Sequence, residues 1–272
     1  MFKRKKEEPR RLIEFSCSPY QEGIPKPVPA SKMVPTWWKD MVRHIPEHPN
    51  LIHDNGAIPG ANIPPQETVK ACVPVLDTLR TGYIIPLWTE LIFAYPDHNP
   101  NELLISWNHQ GLSSRDIDSF REGNNPRQQI EPKSFKAAAG MPIYNRAIEN
   151  GVVNMFTLNS PWSIKTPPGY SCLFTAPLNN DLPFDYVNGI VNTDTYSVAV
   201  NWNFMMKRKW EGTLRVGTPM MQIIPFKRDD WESEVRTWTD EDTRNANITM
   251  NGLDMYFEGG YQREHGCPIR HN

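Results

Sequence analysis

The sequence predicts a mainly β protein: a distorted β-sandwich core with helical additions at its N- and C-terminal ends. Three observations carry this. Twenty-six prolines in 272 residues leave little room for long helices and stop strands early. From Gly151 onward, short apolar segments arrive at close spacing with turn residues between them. Nine tryptophans argue for an ordered chain, because such rings need burial or a partner.

In chain order, residues 1–11 read as a basic, solvated tail. Residues 12–67 form an N-terminal extended segment with one short helix. "LIEFSCSPY" has strand character and "EGIPKPVPA" is a proline-rich connector. "VPTWWKDMVRHI" predicts the helix, with Thr36 as N-cap and Pro46 as its end. Trp37 and Trp38 point about 100° apart on a helix, so one core face does not bury both.

The β core is expected over residues 68–228. It begins with a helical turn near Pro74–Leu79, stopped at Gly82, followed by strands in "YIIPLWTELIFAY" and "NELLISWNHQ". Residues 111–140 are polar and read as a long loop. Strands then follow in "VVNMFTL", "WSIKTP", "YSCLFTAP", "YVNGIVNT", "YSVAVNWNFM", "GTLRVG" and "PMMQIIPF". Residues 229–272 read as a charged helical segment.

A net charge of −2 supplies no global basic field, which makes nucleic acid an unexpected partner. Cys17, Cys72, Cys172 and Cys267 lie far apart, without a C-x-x-C pair, so buried reduced thiols are expected. No signal-peptide stretch and no run of membrane-spanning length is seen, and an intracellular, non-membrane protein is expected.

The stretches "VPASKMVPTWWKDM", "TVKACVPVLDTLRTGYIIPLW", "PWSIKTPPGYSCLFTAPLN", "GIVNTDTY" and "GTPMMQIIPFKRD" resemble an uncharacterised family of tailed phages, marine cyanophages among them, and of bacteria. That resemblance spans residues 28–231. It implies the cytoplasm of an infected bacterial cell, or the virion, and carries no activity with it.

"PPGYSCLFTAPLN", "GIVNTDTYSVAVNW" and "GTLRVGTPMMQIIPF" also follow the motif order of the dUTPase and dCTP deaminase group. This resemblance implies a β-clip-like core, a homo-oligomer (trimeric in that group), a nucleotide ligand and Mg²⁺. It maps a phosphate-loop serine to Ser171, a water-activating turn to Gly189, Val191 and Asn192, and a nucleotide-binding segment to Gly217 and Gln222. The sequence departs from the pattern. Asn192 stands where the group has its aspartate, and an amide does not take a proton from water as a carboxylate does. Tyr196 comes one residue late, Cys172 replaces a hydroxyl, Pro219 replaces an arginine, and the glycine-rich C-terminal motif is missing. Fold resemblance therefore outlasts activity.

Two readings stay open for the turn Thr166–Ser171. It is a tight turn before a strand, with Gly169 at positive φ, or a rigid loop whose amides and Ser171 hydroxyl face an anion. Asp194, the carboxylate of "NTDTY", is the candidate catalytic base. Gly169, Ser171, Asn192, Tyr196 and Gln222 are the candidate ligand-binding residues. His44, His48 and His53 are close in sequence, but Pro46 interrupts any shared helix, and no metal site is expected. No cofactor is expected apart from the Mg²⁺ of the nucleotide reading. The function expected is a non-catalytic, oligomeric binding or structural protein of phage type. The alternatives are a nucleotide-binding or nucleotide-hydrolysing enzyme and, more remotely, an iron-dependent β-barrel oxygenase.

Overall fold

The computed structural model describes residues 12–19, 22–45, 66–97, 103–108, 130–132, 155–207 and 209–253. Its strands are β1 (Glu14–Ser16), β2 (Val28–Pro29), β3 (His44–Ile45), β4 (Gln66–Glu67), β5 (Tyr83–Pro86), β6 (Glu90–Ala94), β7 (Leu104–Asn108) and β8 (Ile130–Pro132). They continue as β9 (Met155–Lys165), β10 (Tyr170–Thr175), β11 (Phe184–Tyr186), β12 (Gly189–Val191), β13 (Ala199–Met206), β14 (Gly212–Leu214) and β15 (Pro219–Lys227). Its helices are α1 (Thr36–Asp40), α2 (Val73–Arg80) and α3 (Asp240–Leu253). The protein is mainly β and sandwich-like.

The chain divides into two compact units, Met1–Ala30 with Gly82–Arg228, and Ser31–Thr81 with Asp229–Asn272. In the first, one five-stranded sheet runs β1-β9-β13-β11, with β8 also pairing β9. A second runs β12-β10-β15-β5-β2, and a third, three-stranded sheet runs β14-β6-β7. The recorded pairings are antiparallel. Strands β1 and β2 place residues 14–16 and 28–29 in these two sheets.

Alternation positions the core. Along β9, Phe156, Leu158, Trp162 and Ile164 are buried at a period of two, and along β13 Trp202, Phe204 and Met206 face the same core. In β15, Met220, Met221, Gln222 and Ile223 are buried in succession, as befits a strand paired on both edges and covered on both faces. Rings tie the two large sheets together. Trp88, just after β5, meets Trp202 of β13 edge-on at 5.9 Å, and Phe15 of β1 meets Tyr83 of β5 at 5.2 Å.

Several sequence segments divide differently from the expectation. "YIIPLWTELIFAY" is two strands, β5 and β6, in different sheets. Between them Leu87 donates its N–H to Thr218 O at 2.7 Å and accepts from Gly217 N–H at 2.8 Å, so the chain leaves one ladder for a turn. "VVNMFTL" and "WSIKTP" contribute one strand, β9. Pro161 fits because the register against β13 shifts there, passing from Asn201↔Asn159 to Ala199↔Ser163. "YVNGIVNT" is split between β11 and β12, again in two sheets. Within 111–140, residues 130–132 pair with β9, and the rest lies outside the described residues.

In the second unit, α1 is shorter than expected. Pro35 is its N-cap, Thr36 is its first residue, and Met41 is already extended. Lys70 Nζ takes up the carbonyls of Lys39 at 2.8 Å and Met41 at 2.7 Å, which satisfies acceptors that a continuing helix would have used. Trp38 is buried, while its neighbour Trp37 remains partly exposed. Residues 229–239 are not helical. Thr239 Oγ1 accepts from Asp242 N–H at 3.2 Å, and Asp242 Oδ2 accepts from Thr239 N–H at 2.8 Å. This reciprocal cap starts α3 at Asp240.

Candidate functional site

The pairing of β10 decides which candidate residues meet. Both neighbours, β12 and β15, are antiparallel to it. The first residues of β10 therefore lie beside the last residues of β12 and β15, and the chain just past those ends converges there. Cys172 is opposite Val191 on one side, and Tyr170 is opposite Lys227 on the other. Asn192–Asp194 follow β12, and Arg228 follows β15.

The turn before β10 is set by its prolines and glycine. Tyr170 N–H bonds Pro167 O at 3.2 Å, and Gly169 has φ +83°, in the left-handed region. This leaves the Gly169 N–H free to donate to Asp194 Oδ2 at 2.9 Å. Across the sheet, Arg228 N–H donates to Gly169 O at 2.8 Å, fixing the arginine's backbone beside the same turn.

The side chains close around Asp194. Arg228 Nη1 donates to Asp194 Oδ1 at 3.0 Å, to Ser171 Oγ at 2.8 Å and to Tyr170 O at 3.0 Å, and Nη2 donates to Asp194 Oδ2. Ser171 Oγ donates to Asn192 Oδ1 at 2.8 Å. Below this layer Thr166 Oγ1 and Thr193 Oγ1 lie 2.7 Å apart, and Thr193 Oγ1 is 3.4 Å from Cys172 Sγ. Ser171, Cys172, Thr193 and Thr166 are all buried.

The charges are balanced locally. The Arg228 guanidinium, then the Gly169 N–H, hold the Asp194 carboxyl down at about 2, against an ordinary value of 3.8. The same ion pair raises Arg228. Burial pushes the Cys172 thiol up, partly offset by Thr193. A carboxylate held this acidic is a weak base near neutral pH.

The structure thus brings Gly169, Ser171, Asn192 and Asp194 together. Gln222 lies elsewhere on the same sheet. It pairs opposite Thr175, four positions from Phe226, the partner of Ser171, or roughly 13 Å along the strand. It is buried, and its Oε1 accepts from Leu178 N–H at 2.8 Å. Tyr196 closes the 192–196 turn through its N–H to Asn192 O at 2.8 Å, while its side chain is exposed.

Arg228 is the participant that sequence reasoning missed. Its signal was present: a cation one residue beyond the apolar run of β15, and a carboxylate just beyond β12. Only the knowledge that both strands flank β10 in antiparallel sense makes the two coincide.

Among the described residues no group of three or more His, Cys, Asp or Glu side chains gathers as metal ligands would. His44 lies on β3, and His48, His53, His98, His109, His265 and His271 lie outside the described residues. Among the described residues, no helix is long and apolar enough to cross a membrane. No family model matches the sequence, and no curated protein is significantly similar to it.

Proposed function

We propose that the protein is a non-catalytic binding or structural component of phage type that works as a homo-oligomer, and that the Ser171–Asp194 cluster is a clasp holding its sheet together. The observation that carries this reading is the state of Asp194. Both carboxylate oxygens are taken by Arg228, one also by Gly169, and the Ser171 hydroxyl is committed to Asn192 and Arg228. A general base near neutral pH needs a proton affinity that a carboxyl held at about 2 by Arg228 and Gly169 lacks, and the hydrogen bonds of both groups tie strand ends together.

Support for self-association comes from the edge of the second sheet. The terminal strand β12 and the chain after it expose Ile190 at 65%, Tyr196 at 54% and Val198 at 51%. Exposed apolar residues along a strand edge favour pairing with another chain. The reading places the protein in the infected cell or the virion. Size-exclusion chromatography with light scattering tests it: a mass that is a multiple of the chain's 31.4 kDa is expected, and a monomer at all concentrations contradicts it.

A second reading, a nucleotide-binding protein related to dUTPase and dCTP deaminase on a β-clip-like fold, is favoured by one feature. A backbone N–H, a serine hydroxyl and a guanidinium converge on a small region, as donors do around a phosphate. A thermal-shift panel of nucleoside phosphates with Mg²⁺ separates the two readings. Stabilisation by one nucleotide, lost in Ser171→Ala, supports binding; a flat panel supports the clasp.

A further inference from the structure

We infer that two copies of the chain exchange charged segments: the basic residues 3–11 of each copy bind the acidic, tryptophan-bearing residues 230–238 of the other, and the pair closes as a two-fold dimer. This rests on the homo-oligomeric reading above and specifies its contact.

The acidic segment stands open. Residues 227–240 are exposed throughout. Trp231 is 90% exposed, Val235 100% and Trp238 65%. The nearby cations Arg228 and Arg236 are already held by Asp194 and Asp242. Asp230, Glu232 and Glu234, by contrast, have no ion-pair partner among the described residues. Three uncompensated carboxylates thus alternate with two indole rings left in water. Both attract a cation, the carboxylates by charge and the indoles by the negative faces of their rings.

The chain itself supplies the cations. Lys3, Arg4, Lys5, Lys6, Arg10 and Arg11, outside the described residues, stand against Glu7 and Glu8. The two segments are joined to one corner of the first unit. Strand β1 begins at Glu14, opposite Lys165, the last residue of β9. The two strands are antiparallel, so the chain before Glu14 runs out past the end of β9, beside Thr166. Thr166 Oγ1 donates to Tyr170 O at 3.2 Å, and Arg228 Nη1 donates to the same carbonyl at 3.0 Å. The chain leading back to the basic residues and the chain leading on to the acidic ones therefore depart from one turn. A corner that carries both signs is self-complementary. A two-fold rotation sets the cations of each copy against the carboxylates of the other, and such a contact closes at the dimer.

Charge reversal tests this on the full chain by light scattering. One variant is Lys3→Glu/Arg4→Glu/Lys5→Glu/Lys6→Glu, and the other is Asp230→Lys/Glu232→Lys/Glu234→Lys, at exposed positions. Each alone is expected to weaken self-association about tenfold or more. Mixed, they are expected to form a one-to-one heterodimer, because every acidic segment again meets a basic one. On the unmodified chain, raising salt from about 0.05 M to about 0.5 M is expected to weaken association by a similar factor, since exposed charges are screened. Single variants that associate like wild type overturn the exchange and leave the homo-oligomer standing. Variants that do not restore each other on mixing, or an association indifferent to salt, overturn it too. Restoration only when both reversals stand in one chain assigns the contact to a single copy and also overturns the exchange. A monomeric wild type overturns both readings.

Discussion

Arg228 and Asp194 form a two-pronged ion pair across the end of the second sheet, Nη1 to Oδ1 at 3.0 Å and Nη2 to Oδ2. It joins the chain after β12 to the chain after β15 over the turn that begins β10. The pair has a pH signature with a definite sign. The folded Asp194 carboxyl lies near 2 and its ordinary value is 3.8, so the unfolded chain binds its proton first as pH falls to that range. The stabilisation is fully present above the ordinary value and is lost as pH falls toward the folded one. Urea midpoints measured from about pH 6 to about pH 2 should therefore fall more steeply for wild type than for Asp194→Asn, the difference concentrated below about pH 4. Parallel curves would remove the ion pair from the account. The comparison between variants matters because Asp242, clasped by Arg236, is also held well below the ordinary carboxylate range and loses its contribution in the same direction.

Glycine's role differs between two turns. Gly82 has φ +69°, and a Cβ there would fall 2.1 Å from Ile223 O, in the backbone of β15. Gly169 has φ +83° with nothing within 4 Å of such a Cβ. Gly169→Ala should cost about 1 kcal/mol, the strain of a left-handed alanine alone. Gly82→Ala should cost about 3 kcal/mol or more, because β5 and β15 must also move apart. Equilibrium unfolding of both variants checks the order, and equal costs would contradict it.

These positions also mark what a reader of the sequence can and cannot see. Gly82 reads as a stop because a helix-like run precedes it and a β-rich run follows; nothing in the string names Ile223 as the atom it approaches. The alternation in "MFTLNSPWSIK" announces a half-buried strand, yet Pro161 suggests a break, and only the bulge opposite β13 reconciles the two. Ser171, Asn192 and Asp194 stand out as turn chemistry, and their meeting follows from strand order. Arg228 was hidden because one arginine after a strand resembles any solvated end. Conversely, Gln222 looked like a site residue through motif spacing, and its burial opposite Thr175 gives it a local acceptor role at Leu178. Residues 229–272 read as a charged helical segment, but 229–239 are not helical and the Thr239–Asp242 cap starts the helix at Asp240.

Two buried hydroxyls in the first unit should respond to deletion with opposite signs. The Tyr186 hydroxyl is buried with no hydrogen-bond partner among the described residues, its ring packed against Phe184 at 5.2 Å, and burial pushes its pKa up. Tyr186→Phe keeps the ring contacts and removes the desolvated polar atom, and should stabilise by about 1 kcal/mol. Thr157 Oγ1, by contrast, donates to Asn203 Oδ1 at 2.7 Å. Thr157→Val strands that acceptor and should destabilise by about 1–2 kcal/mol. Urea denaturation of the two variants is sufficient; a destabilised Tyr186→Phe would mean that the hydroxyl has a partner in solution.

The proposed function has two halves: the β protein assembles, and it does not process nucleotides at the Asp194 clasp. Native mass spectrometry of the full chain, sprayed with Mg²⁺ and a mixture of nucleoside triphosphates, addresses both halves at once. Species at multiples of 31.4 kDa, without nucleotide adducts, are expected. A single-chain species carrying one nucleotide, with the adduct abolished by Ser171→Ala, would contradict it.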